Sequence, residues 1–278
     1  MVTDAELDEG RVVPGSRATR CLVMGVVNVT PDSFSDGGRF FDTDAAVAHG
    51  RQLLADGADL LDVGGESTRP GAVRVDKDEE LRRVIPVIRE LAADGVRVSV
   101  DTMRSEVAEK AVRAGAAIIN DVSAGQADPD MACVAADLGA SYVAMHWRGH
   151  AAVMEGLASY DDVVAQVRDE LSQRVDHLLG AGIRPDRLIL DPGLGFAKRP
   201  HHNWHLLRHL GVLAELGFPL LVGASRKRFL AQVADREDAT VAVSALAAAA
   251  GVWAVRVHQV RPNVAAVRVA AAWTGAGG

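Results

Sequence analysis

Residues 28–38 read Asn-Val-Thr-Pro-Asp-Ser-Phe-Ser-Asp-Gly-Gly and directly follow an apolar run at 21–27. Asn28, Thr30, Asp32, Ser33, Ser35 and Asp36 supply more hydrogen-bonding oxygens than a connection needs, side chains suited to binding ions and phosphates. A second apolar run, 60–63, breaks in the same way into Gly64-Gly65-Glu66-Ser67-Thr68-Arg69-Pro70-Gly71. Further on, Asp101, Asn120, Asp191 and Lys227 are the groups that could read a planar heterocycle. Carboxylates accept from ring N–H and amino groups, while Asn and Lys meet ring nitrogens and a carbonyl. Thr68, Arg69, Arg256 and His258 make a second set, an anion clamp, because Arg grips phosphate oxygens in bidentate fashion. For any single residue a solvated loop polar is the ordinary explanation, and Asp101 ahead of Thr102-Met103-Arg104 could simply cap a helix. Their coincidence is what points to a site.

These residues occupy one recurring position in the chain. Amphipathic helical patterns end at Gly57, Gly95, Gly115, Gly139, Gly182, Gly217 and Gly251, where glycine supplies a left-handed stop. Short apolar runs follow at 60–63, 96–100, 117–119, 141–145, 188–190, 219–222 and 252–257, and with 21–27 they number eight. Between them Leu81, Val84, Ile85, Ile88 and Leu91 fall on one helical face, as do Val163, Val167, Leu171, Val175 and Leu178, and Leu206, Leu210 and Leu213. Pro86 should bend the first of these helices. Continuously apolar strands alternating with helices are parallel and buried on both faces. No Gly-x-Gly-x-x-Gly turn follows the first strand, so eight units close most naturally into a single-domain α/β fold, the (β/α)8 TIM barrel, over 20–278, with 1–19 as a flexible extension. Active sites of such barrels lie at the carboxyl ends of the strands. Here those ends carry Asn28, Gly65 with Glu66, Asp101, Asn120 with Asp121, His146, Asp191, Ser225 and His258.

Through the two loops, and through Val-Asp-Thr at 100–102, Ile-Asn-Asp at 119–121, Leu-Asp-Pro-Gly-Leu-Gly-Phe at 190–196 and Ala-Ser-Arg-Lys at 224–227, the chain resembles the dihydropteroate synthases over about residues 20–274. The resemblance implies condensation of a pterin diphosphate with p-aminobenzoate in the folate pathway. It implies a pterin pocket of Asp101, Asn120, Asp191, Lys227, Met145, Phe196 and Gly223, and a diphosphate site of Asn28, Thr68, Arg69, Arg256 and His258. Asn28 matches the family's magnesium ligand. Phe34, Thr68, Arg69, Pro70 and Ser225 would border p-aminobenzoate, and Arg256, His258, Lys227 and Asp36 would act in catalysis. The family's usual His-Asp-Val after the last strand is His258-Gln259-Val260 here, so a carboxylate that could orient His258 is missing. A homodimer, and sulfonamides as competitors of p-aminobenzoate, follow from the same resemblance.

Composition agrees in what it excludes. A net charge of −7, with no long run of Lys and Arg, gives no footprint for nucleic acid. The acidic start lacks the features of a signal peptide, and the most apolar stretch, 241–255, is too short to span a bilayer, which takes about 20 residues. Cys21 and Cys133 alone suit a reducing cytosol. His201, His205 and His209 recur at helical spacing but have no acidic companion, so a surface helix is the reading preferred to a zinc site, with Asn203 as its N-cap. Two alternatives stand beside the synthase. One is a Schiff-base aldolase using Lys227, whose neighbours Arg226 and Arg228 could lower its pKa. The other is a pterin-binding module without diphosphate chemistry, as in methyl-transfer barrels, which would have no use for an anion clamp.

Overall fold

The computed structural model describes residues 20–30, 43–66, 75–150 and 153–275. The expected extension at 1–19 lies outside the described residues, as do Phe34 and Asp36 on the first loop and Thr68, Arg69 and Pro70 on the second.

One sheet of eight parallel strands organises the chain. The strands are β1 (Leu22–Asn28), β2 (Leu60–Gly64), β3 (Val98–Asp101), β4 (Ile118–Asp121), β5 (Ser141–Met145), β6 (Leu188–Asp191), β7 (Leu221–Val222) and β8 (Ala254–Val257). Their order is β6-β5-β4-β3-β2-β1-β8-β7, and a single bridge, Leu190 to Leu220, brings the outer edges of β6 and β7 together. The result is a nearly closed barrel. β7 is shorter than the expected 219–222 because Pro219 has no N–H to give a neighbouring strand, although its carbonyl accepts from Leu190 at 2.9 Å.

Between the strands run α1 (Thr43–Ala55), α2 (Lys77–Ala93), α3 (Ser105–Arg113), α4 (Met131–Leu138), α5 (Val163–Gly180), α6 (Pro200–Arg208), α7 (Leu210–Ala214), α8 (Arg236–Ala249) and α9 (Val260–Thr274). All seven glycines expected to stop helices have positive φ, from 61° to 116°. α2 continues through Pro86 without interruption. The helix expected across 203–213 is two, parted at His209, and Asn203 is not its cap: Arg199 is, and Asn203 lies buried inside α6. The rings of His205 and His209 are stacked, and among the described residues no group of three or more metal-ligating side chains occurs. No helix among the described residues is long and apolar enough to cross a membrane.

The buried apolar residues fall into two layers. The larger lies between strands and helices; the smaller, Met24, Leu60, Ile118, Val143, Ile189, Leu221 and Ala254, plugs the barrel interior. Two residues further along four of these strands the inward side chains change character. Leu60 gives way to Asp62, Ile118 to Asn120, Ile189 to Asp191, and Ala254 to Arg256. The apolar plug is thus the base on which a polar floor rests.

Candidate active site

The floor is tied together by hydrogen bonds between strands far apart in sequence. Arg256 on β8 donates from Nε to Asp62 Oδ2 at 2.6 Å and from Nη2 to Asp101 Oδ2 at 2.8 Å. Asn120 on β4 donates to the same Asp62 oxygen at 3.0 Å. Asp62 is wholly buried, and its second oxygen has no hydrogen-bond partner among the described residues. A charge buried in this way is tolerated only when paired, which is what the guanidinium provides. The sequence reading counted Asp62 within an apolar run and missed it. A carboxylate inside an otherwise apolar parallel strand was the signal available.

Burial pushes the Asp101 carboxyl up to about 7; Arg256 opposes the shift and the Asp62 carboxylate adds to it. Asp191 is raised as well, by burial against the pull of Lys227, and one of its oxygens accepts from Gly193 N–H at 2.7 Å. Lys227 is lowered to about 8, again by burial, with Asp191 opposing. Its Nζ donates to the carbonyl of Leu194 and stands 4.7 Å from the centre of the Phe196 ring. Met145, at the end of β5, is buried, and its strand pairs it with Asp191. Gly223 passes close to Asp191 and Arg256: a Cβ there would come within 3.9 Å of both side chains. Every member of the expected pterin pocket is therefore at the carboxyl ends of the strands, and Asp101, Asn120 and Arg256 share one hydrogen-bonded set.

The remaining expected groups divide. Asn28 ends β1 beside Gly64 and is half-buried. Ser225, expected to border p-aminobenzoate, is engaged with His258: its Oγ lies 2.9 Å from Nδ1 and accepts the His258 backbone N–H at 3.2 Å. The imidazole, lacking a neighbouring carboxylate in sequence, is thus oriented by a hydroxyl. Arg256, expected to clamp diphosphate, has two of its three nitrogens on Asp62 and Asp101, which leaves Nη1 to meet a ligand. Asp121 does not face the floor. It accepts from Ser123, Gly125 and the Tyr142 hydroxyl and so holds the turn after β4. His146 also lies behind the site, 2.8 Å from Glu170 on α5.

A parallel barrel with acceptors, an amide and a lysine converging on its carboxyl face, and an aromatic wall beside them, is the architecture of a pterin binding enzyme. The family model of that description matches residues 24–258. A dihydropteroate synthase of Mycobacterium leprae is 53% identical over 267 residues, covering 92% of this chain and 94% of its own. That of Bacillus subtilis is 44% identical over 248 residues, covering 87% and 85%. The structure of Xanthomonas albilineans dihydropteroate synthase with 4-aminobenzoic acid matches with a TM-score of 0.85 at 48% identity, over 92% of this chain and 93% of that one. The Yersinia pestis enzyme in a sulfonamide drug complex matches with a TM-score of 0.87 at 40% identity, over 92% and 95%. The chain belongs to the dihydropteroate synthase family, transferases of folate biosynthesis.

Proposed function

We propose that the chain condenses (7,8-dihydropterin-6-yl)methyl diphosphate with p-aminobenzoate, giving 7,8-dihydropteroate and diphosphate. The observation that carries this reading is the floor itself. Asp101 and Asp191 each spend one oxygen on the protein, and the other remains for ring N–H and amino donors, while Asn120 and Lys227 stand beside them for ring acceptors. The pterin then lies on this floor against Phe196 and Met145, its reacting methylene carbon towards the rim. The C–O bond to diphosphate breaks with its electron pair leaving on oxygen, and the arylamine lone pair forms the new C–N bond. The amine's proton is shed afterwards, to water or to the departing diphosphate. An arylamine is uncharged near neutral pH, so no dedicated base is needed. Arg256 Nη1 and His258, the latter steadied by Ser225, meet the charge that gathers on the leaving group.

Magnesium fits this site as a companion of the substrate. Asn28 offers one neutral amide oxygen, and magnesium characteristically keeps several waters and takes substrate phosphates as ligands instead of entering an all-protein cage. When bound it would draw negative charge from the diphosphate. Asp36, Phe34, Thr68, Arg69 and Pro70 keep the roles the resemblance gives them as proposals. A homodimer is proposed too, on the support of Leu246, Val269 and Trp273, which are 71%, 66% and 86% exposed on the neighbouring helices α8 and α9. A cytoplasmic location suits two free cysteines, one of them exposed.

Calorimetry of the pterin diphosphate, with and without magnesium, tests the reading together with an assay for dihydropteroate. Tight binding that magnesium strengthens, followed by product when p-aminobenzoate is added, is expected. Binding indifferent to magnesium, with no product, would sink it. The aldolase alternative has its own check. Lys227 should stay unmodified when borohydride is added with a carbonyl substrate, since its amine is held by the Leu194 carbonyl and the Phe196 face.

A further inference from the structure

Behind the proposed pterin wall lie charged groups that the reaction does not use. The segment 192–198 leaves β6 carrying Phe196, and besides Asp191, which accepts from Gly193 N–H, three side chains hold its backbone. Lys198 Nζ donates to the Phe196 carbonyl at 3.1 Å, Asn203 Oδ1 accepts from Gly195 N–H at 2.7 Å, and Lys227 Nζ donates to the Leu194 carbonyl. Lys198 is backed in turn, with Nζ 2.8 Å from His146 Nδ1, and His146 Nε2 lies 2.8 Å from Glu170 Oε2. The same carboxylate receives Arg148, whose guanidinium covers the Tyr160 ring at 3.9 Å.

Chemistry fixes the direction of this relay. Burial, then the neighbouring Lys198, lowers His146 to about 4, so its ring is neutral near pH 7, and burial likewise pushes the Lys198 amine well below the usual lysine range. Burial alone would raise Glu170, but hydrogen bonds from His146 and Arg148 outweigh it and leave the carboxyl at about 2. A carboxylate only accepts, so the one ring proton is on Nε2 and the lone pair on Nδ1 must accept from Lys198. Moving Lys198 would strand that lone pair and the Phe196 carbonyl together. The segment has no slack on the other side either: a Cβ on Gly193 would stand 2.3 Å from the His146 carbonyl oxygen.

We propose that Lys198, backed by His146 and Glu170, is a positioning residue for pterin binding. It sets the segment on which Phe196 walls the ring and from which the Leu194 carbonyl steers Lys227. The proposal rests on the pterin reading of the floor. Both lysines donate to carbonyls of one segment, so releasing Lys198 lets Phe196 and Lys227 shift together.

Steady-state kinetics with both substrates test it. If the wild-type chain makes no dihydropteroate, the function is at fault and not this inference. Given an active wild type, Lys198→Met is expected to raise KM for the pterin diphosphate roughly tenfold. In a Phe196→Ala background the added effect of Lys198→Met should shrink to about twofold, because the wall it positions is already gone. Where Lys198→Met does not fold, Glu170→Gln carries the test, with pterin KM expected to rise about threefold. An unchanged pterin KM in a folded Lys198→Met, a loss confined to kcat, full multiplicativity with Phe196→Ala, or an unchanged pterin KM in Glu170→Gln each overturn the proposal.

Discussion

The Asp101 carboxylate meets the Arg256 guanidinium through one oxygen at 2.8 Å and makes no other hydrogen bond to a described residue. With its pKa pushed up to about 7, it is half protonated at the pH where a pterin donor needs it ionised. Pterin affinity should therefore fall by up to about tenfold per pH unit below 7, and the dependence should vanish in Asp101→Asn, measured by titration calorimetry across pH 5.5 to 8.5. A flat profile in the wild type would count against the pocket. At pH 8 the substitution itself is expected to weaken binding by on the order of 1.5 to 3 kcal/mol. Stability runs the other way. A carboxyl raised from about 4 in the unfolded chain stabilises the fold below that value, and its contribution is lost as pH rises through about 7. The residues that bind and those that hold were not equally legible. Asp101, Asn120, Asp191 and Lys227 stand in motifs at strand ends, but Asp62 lies within a strand buried on both faces, where no alternation tells which side chains point inward. Lys198 pairs with His146 from 52 residues away, and only the folded chain brings them together.

At the scale of elements, glycine stops and apolar runs told where each strand would begin, because a helix must end before a buried strand can start and each ending leaves a mark. What happens between Asp191 and α6 left no such mark. Asn203 has the residue type of a helix cap, yet it is buried in the helix and holds Gly195. Leu206, Leu210 and Leu213 keep one face across a break at His209 that periodicity does not register. Gly193 is the point at which this segment tolerates least. Its φ is +67° and a side chain there would strike a backbone carbonyl. Gly193→Ala should cost about 1–3 kcal/mol in backbone strain alone, more with the clash, and should depress pterin binding beyond what thermal unfolding accounts for. Wild-type melting and affinity in that variant would show that the segment can move aside.

For the whole molecule, the exposed Val269 and Trp273 lie one helical turn apart on α9, and the helix it packs against, α8, exposes Leu246. Glutamate at both Val269 and Trp273 should convert the proposed dimer to monomers in sedimentation at micromolar concentration, with the barrel's far-ultraviolet circular dichroism intact. A monomeric wild type would overturn the assembly. The barrel has one weak join of its own, since β6 and β7 share only the Leu190–Leu220 bridge. Asp191 ends β6 and Lys227 follows β7, so a pterin held by both sutures the gap the backbone leaves. Heat should find that edge first, and hydrogen exchange at Leu190 and at 220–222 should slow on pterin binding more than exchange in β1 and β2. At a hundredfold excess over Kd the ligand adds about 2.7 kcal/mol to folding. A melting curve then becomes a gauge of occupancy, and a compound that fills only the p-aminobenzoate side, leaving the gap unsewn, should protect this edge far less than one that spans it.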